Sequence, residues 1–181
     1  MRFVTHWTTM ETTKGATPST RIRRALPDDL PFLRSLALEA FSIYGDYETI
    51  LTDFFRSPGV HTYVAEEPNT SGALPVGILM MAARKLRKWR PYVAEVLAIA
   101  VDETRQGQGI GSHLIKFAKR WPLSFSGKIY ISEVHLSVAA SNERGQSFFE
   151  RHGFKVFRTE SWRYPAGQKA FRMRYVLNSE S

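Results

Sequence analysis

Apolar and polar residues recur along this chain in two periods, and the switches between them mark its elements. Leu30, Leu33, Leu36, Ala37 and Ala40 repeat at three- and four-residue spacing behind Asp28, which predicts a helix capped by Asp28 and running through Phe41. Residues 20–25 ahead of it read as a strand, and 44–55 as a second short helix or a loop and helix around Gly45. Two-residue alternation or short apolar runs then predict strands at 62–66, 76–84 and 92–101, with Pro68-Asn69-Thr70-Ser71-Gly72 and 85–91 as turns. A strand at 129–138 and a helix follow, and 155–161 with 169–177 read as a hairpin. In its second strand Phe171, Met173, Tyr175 and Leu177 alternate with Arg172, Arg174 and Val176, so one face is expected to be buried.

The most informative switch lies after Leu97-Ala98-Ile99-Ala100-Val101. The apolar run ends at an acidic turn, Asp102-Glu103. Gln106-Gly107-Gln108-Gly109-Ile110-Gly111-Ser112 comes next, and Ile110, Leu114, Phe117, Ala118 and Trp121 continue with helical spacing. Strand, glycine-rich turn and helix in this order form a cradle for a phosphate-bearing group. Backbone amides at the helix start can face an anion, the helix dipole favours negative charge there, and glycine permits close approach. A P-loop is disfavoured, because Gly111 is followed by Ser112 and His113 and not by Lys. The dinucleotide fingerprint has a different glycine spacing and an earlier place in its fold.

The spacing Gln-x-x-Gly-x-Gly, Gln106 to Gly111, resembles motif A of the GNAT superfamily of acetyl-CoA-dependent N-acetyltransferases. The stretch Leu136-Ser137-Val138 to Gly153-Phe154 resembles its motif B. There Asn142 is a natural N-cap, Phe148 and Phe149 give the helix apolar bulk, and Gly153 suits a left-handed C-cap. The order β-α-α-β-β-β-α-β-α-β-β over residues 20–177 resembles the GNAT fold. It implies an α/β domain whose central mixed sheet is flanked by helices, with 1–19 as a mobile leader and 178–181 as a tail. The resemblance further implies acetyl-CoA as co-substrate, held in a gap between two splayed strands. Ile99, Ala100 and Val101 would hold its acetyl and pantetheine groups. Gln106, Gly107, Gln108, Gly109, Ile110, Gly111 and Ser112 would hold pyrophosphate, Asn142 would meet the pantetheine arm, and Phe148 and Phe149 would belong to the cofactor site.

Acetyl transfer to an amine requires a neutral amine, a stabilised oxyanion and a proton for the departing thiolate. Glu95 is the expected base. It stands eleven residues before Gln106, where several family members carry a catalytic glutamate, and its strand is otherwise apolar, which would raise its pKa. Glu133 and His135 share the face of Ser137 on the next strand, and His135 could relay a proton. Many family members have Tyr as the second aromatic of motif B, the presumed acid. Phe149 stands here and has no proton to give.

The 181 residues suit one domain, and 43% of them are apolar. The chain has no cysteine and therefore no disulfide or thiolate metal site. No metal is expected. No apolar run approaches a membrane span and no secretory signal is visible, so a cytoplasmic protein without membrane contact is expected. The net charge of +8 is assigned partly to Arg105, Lys116, Lys119 and Arg144 around the phosphate end. A second basic cluster runs from Arg84 to Arg90 with Trp89 inside it, and it reads as a solvated hairpin tip. By the resemblance the acceptor, an amine of unidentified kind, would meet Tyr44, Asp46, Tyr47 and Trp162, since aromatics with one carboxylate suit a cation. A homodimer is compatible with this reading. The rival readings are a non-catalytic acyl-CoA-binding module and a basic nucleic-acid- or protein-binding module, and the first of these keeps the cofactor motifs while the second leaves them unexplained.

Overall fold

The computed structural model describes the backbone of residues 4–5 and residues 20–70, 72–86, 91–125, 127, 129–161 and 164–177. Its strands are β1 (Val4–Thr5), β2 (Arg21–Arg24), β3 (Val60–Asn69), β4 (Gly72–Lys85), β5 (Tyr92–Val101), β6 (Ile131–Ala139), β7 (Lys155–Glu160) and β8 (Ala170–Val176). Its helices are α1 (Leu30–Phe41), α2 (Tyr47–Arg56), α3 (Ile110–Arg120) and α4 (Glu143–Arg151). The strands form one sheet in the order β2-β3-β4-β5-β6-β8-β7, with β1 attached to β5. Pairing is antiparallel except between β5 and β6 and between β1 and β5.

The sheet is covered on both faces, so its central strands are apolar on both sides. Ile110, Leu114, Ile115 and Ala118 of α3 and Phe148 and Phe149 of α4 pack on one face against Val96, Ile99, Val101, Leu136 and Val138. Leu33, Leu36, Ala37 and Phe41 of α1 and Tyr47, Leu51 and Phe54 of α2 pack on the other against Ile78, Met80, Leu97, Ala98 and Ala100. This explains the unbroken apolar run in β5. Both neighbours of each residue along the strand lie under helices, as in buried parallel strands.

Two irregularities in β5 shape the middle of the sheet. Met81 pairs with Val96 and Met80 with Ala98, so Leu97 is an extra residue, a β-bulge. Leu97 and Ala98 therefore both pack on the α1–α2 face, although they are consecutive. On its other side β5 pairs with β6 over Tyr92 to Glu95, opposite Ile131 to His135, and no further. Beyond Glu95 and His135 the two parallel strands part.

The expected order of elements from residue 20 onward is observed. The first helix enters differently: Pro27–Asp29 forms a 3-10 turn and α1 starts at Leu30. Asp29 rather than Asp28 holds this entry, accepting from the Leu26 backbone amide at 2.6 Å and from Arg23 at 2.7 and 2.9 Å. Within the segment expected to be a mobile leader, Val4–Thr5 is a strand; the rest of 1–19 and the 178–181 tail lie outside the described residues.

The connection from α1 to α2 is fixed at Gly45. Its φ is +124°, and a Cβ there would stand 2.6 Å from Pro165 Cβ. The neighbouring Tyr44 carbonyl accepts from the Ala166 amide at 3.1 Å, so this loop is tied to the one before β8. Gly45→Ala should cost at least about 1 kcal/mol, from backbone strain together with the clash. Urea unfolding of the two proteins measures it.

Candidate active site

The cradle forms because the end of β5 is closed by local bonds. The Asp102 amide donates to the Val76 carbonyl at 2.9 Å, and Asp102 Oδ1 accepts from the amide and hydroxyl of Thr104. Gln106 then folds back, and its Nε2 donates to the Val101 carbonyl at 3.1 Å. Gln106 Oε1 is buried with no hydrogen-bond partner among the described residues. Gly107 and Gly109 have φ of +74° and +85°, a region that side chains disfavour. Asp46 and Asn142 cap α2 and α4 through their side chains, but Gly109 gives α3 no side-chain cap. The first amides of an eleven-residue helix are thus left for a partner with acceptor oxygens.

Motif B shapes the opposite wall. Asn142 Oδ1 accepts from the Gly145 amide at 2.9 Å, and a Cβ at Gly145 would lie 2.9 Å from Asn142 Nδ2, so the small residue three positions on is required by the cap itself. The Tyr44 hydroxyl is hydrogen-bonded to the Asn142 side chain. Gln146 Nε2 donates to the carbonyls of Ala139 and Ala140, which fixes the end of β6. Phe149 is fully buried, edge-on to Phe148 and Phe154. Phe148 stacks on His152 at 4.3 Å.

Glu95 lies at the apex where β5 and β6 part, and its surroundings differ from the expected apolar ones. Arg172 Nη1 donates to Oε1, Arg172 Nη2 donates to Oε2 at 3.2 Å, and Arg84 Nη2 donates to Oε2 at 2.9 Å. Arg172 Nη1 also reaches Ser137 Oγ at 3.1 Å. Burial pushes the Glu95 carboxyl up, but the charges and hydrogen bonds of Arg172 and Arg84 outweigh it and hold the pKa below the usual range. The expectation of a raised pKa is corrected accordingly. Arg172 was expected on the solvent face of its strand and is instead 4% exposed, because it neutralises Glu95. A lone carboxylate in an apolar strand was the available signal, since a buried charge needs a partner.

Directly opposite Glu95 in the register stands His135. Its Nε2 is 2.6 Å from Glu133 Oε2, and Arg174 donates to the other Glu133 oxygen at 3.0 Å. Phe157 packs on the imidazole at 4.9 Å. Burial lowers the His135 pKa and the Glu133 hydrogen bond only partly opposes this, so the ring is neutral near pH 7. In the tautomer whose Nε2 donates to the Glu133 carboxylate, Nδ1 carries the lone pair. Nδ1 is buried and has no partner among the described residues.

The other expected site residues are distributed unevenly. Ile99, Ala100 and Val101 lie on β5 beyond its last pairing with β6. Tyr44 and Tyr47 are core residues rather than an open aromatic cage, 2% and 1% exposed, against Tyr164 and Phe41 respectively. Asp46 accepts from the Thr49 amide as a helix cap. Trp162 lies outside the described residues. Lys119 is in the last turn of α3, away from the cradle, donating to the His152 carbonyl and lying over the Tyr175 ring. Arg105 is 3.6 Å from Glu67. In the basic segment, Arg84 turns back to Glu95 and Lys85 lies over Tyr92, while 87–90 are outside the described residues. No metal-binding group of three or more His, Cys, Asp or Glu, and no helix able to cross a membrane, occurs among the described residues.

Two stability predictions follow from this geometry. Glu95→Gln leaves Arg172 buried without its counter-charge and should cost about 3–5 kcal/mol in chemical denaturation. In the wild type the Glu95 contribution is complete above the unfolded-state pKa and is lost as pH falls through the lowered folded value, so the variant's stability should fall less steeply in acid. Phe149→Tyr places a hydroxyl in a fully buried site and should destabilise by about 1–3 kcal/mol, read the same way.

The relationships of the chain agree with this geometry. No curated protein matches it. Among solved structures, Arabidopsis thaliana NAA60 in complex with a bisubstrate analogue is 18% identical, with a TM-score of 0.73 over 88% of this chain and 99% of that one. An IAA acetyltransferase from Bacillus cereus is 20% identical, with a TM-score of 0.68 over 88% of this chain and 100% of that one. A chimera of the spermidine N-acetyltransferase SpeG from Vibrio cholerae and hSSAT is 19% identical, with a TM-score of 0.62 over 87% and 96%. A second NAA60 structure holds acetyl-CoA. The family model described as acetyltransferase (GNAT) matches residues 22–154, and the chain therefore belongs to the GNAT acetyltransferase family, enzymes that use acetyl-CoA as co-substrate.

Proposed function

We propose that this chain transfers an acetyl group from acetyl-CoA to a primary amine by direct attack in a ternary complex. The observation that carries the reading is the parting of β5 and β6 beyond Glu95 and His135, in line with the uncapped start of α3. The residues present fit the co-substrate. The first amides of α3, which have no side-chain cap among the described residues, offer donors for its phosphate end, and the facing edges of β5 and β6 offer backbone groups for its amide arm. When bound, acetyl-CoA supplies an activated acyl carbon with a thiolate leaving group.

The chain's own groups then divide the work. Gln106 to Ser112 bind phosphate oxygens through backbone amides. Ile99 to Val101 align the arm and donate to the developing oxyanion. Glu95 is ionised with both oxygens shared between arginines, which makes it a poor acceptor for an ammonium proton; it holds Arg84 and Arg172 at the apex. His135, oriented by Glu133 and bare at Nδ1, accepts the amine's proton directly or through water. Phe149 takes no part in proton transfer, and water protonates the thiolate, which is a weak base.

The charge around the apex bears on the acceptor. Three arginines, Arg84, Arg172 and Arg174, surround two glutamates, Glu95 and Glu133, and His135 is neutral. Each carboxylate is already paired. Such a site favours a monoamine over a polycation, because no described acidic group there is left to meet a second positive charge.

Calorimetry with acetyl-CoA should give micromolar binding, about −8 kcal/mol. Gly109→Phe should abolish it, because a side chain at that left-handed position disrupts the cradle; absence of heat with the wild type would sink the cofactor assignment. His135→Gln should lower kcat by about a hundredfold with little change in cofactor affinity and should remove the acid limb of the rate profile. That limb should lie below the ordinary imidazole range in the wild type and persist in Glu95→Gln. An acid limb lost in Glu95→Gln and kept in His135→Gln would return the proton to Glu95.

A further inference from the structure

The gap between β5 and β6 already has an occupant. Two parallel strands that part leave facing rows of N–H and C=O groups, and such groups need partners. Pairing between β5 and β6 ends at Glu95 and His135, and three residues further along β5 the backbone of Val4 pairs with Ala98 and that of Thr5 with Ile99. β1 runs parallel to β5 and also lies against β6, so it continues the parallel arrangement inside the gap. The residues of the α1–α2 face here, Ala98, Ala100, Ala139 and Ala170, are all small, which lets a third chain approach.

An extended dipeptide and the arm of an acyl-CoA present the same chemistry to such an edge. Each offers secondary amides along a linear chain. They cannot pair with Ala98 and Ile99 together. We propose that β1 competes with acetyl-CoA for the edge of β5, so that the chain's own Val4–Thr5 gates its cofactor cleft. This rests on the reading of the cleft as the acetyl-CoA site. Residues 6–19 tether β1 to the domain, so the competitor is present at a fixed effective concentration however dilute the protein. The cofactor's apparent affinity is reduced by the fraction of molecules in which β1 is seated.

The test uses the full chain. In the double variant Val4→Pro, Thr5→Pro neither residue can donate to β5. Calorimetry should show acetyl-CoA binding tighter than wild type by about threefold to tenfold. A synthetic peptide of residues 1–12, added to the variant, should weaken that binding competitively. In the wild type, saturating acetyl-CoA should speed amide exchange at residues 4–5. Equal or weaker cofactor binding by the variant, or exchange at residues 4–5 that stays slow with cofactor bound, would overturn the gate while leaving the cofactor site standing. Absence of binding by both proteins would overturn the cofactor reading and the gate with it.

Discussion

The bridge from Glu95 to Arg172 crosses the sheet at the point where its strands separate. Glu95 belongs to β5 and Arg172 to β8, with β6 between them, and Ser137 of β6 takes a bond from the same guanidinium. Three strands are thereby pinned at one level. On one side of that level β5 and β6 are paired; on the other they are free to diverge. A buried ion pair is weak as a source of net stability, because desolvation of the two charges offsets most of their attraction. Its value here is positional. It ties the apex of the gap to β8, while the β5–β6 register sets His135 opposite Glu95.

The fold was legible because its signals were local. The glycines at 107, 109 and 111 and the cap at Asn142 are short-range patterns: Gly107 and Gly109 form the left-handed turn into α3, Gly111 lies in its first turn, and Asn142 caps α4. Apolar spacing placed α1 and α2 for the same reason. The contents of the site were less legible, because they depend on pairs far apart in sequence. Arg172 lies 77 residues from Glu95, and this distant partner gives the Glu95 carboxylate a buried counter-charge that its own apolar strand did not announce. The burial of Tyr44 and Tyr47 also depends on distant partners, because the α1–α2 layer takes their bulk. Lys119 was grouped with the phosphate by proximity in sequence, but ten residues of helix turn and carry it to the far end of α3.

His135 illustrates a different lesson. As a single histidine in a strand it carries little information. Its surroundings are one hydrogen bond to Glu133, a ring nitrogen with no partner among the described residues and a register position opposite Glu95. Glu133 is two residues away and was visible in the sequence on the same face. The ring contact with Phe157 of β7 was not, because it joins residues 22 positions apart.

The bulge at Leu97 gives β5 an unusual relation between length and identity. Because side chains alternate along a strand, placing Leu97 and Ala98 together on one face is what keeps Ile99 and Val101 toward α3 and Ala98 and Ala100 toward α1 and α2 in a strand of this length. Removing Leu97 itself would leave strict alternation and the same partners, but a residue gained or lost elsewhere in the strand, with the bulge kept, would exchange the two faces downstream: bulky Ile and Val would meet the helix pair shaped for alanines, and the alanines would leave voids under α3. The strand can therefore vary in side-chain size during divergence far more readily than in length. Among relatives of this chain, insertions and deletions should be scarce between Glu95 and Gln106 even where little of the residue identity survives.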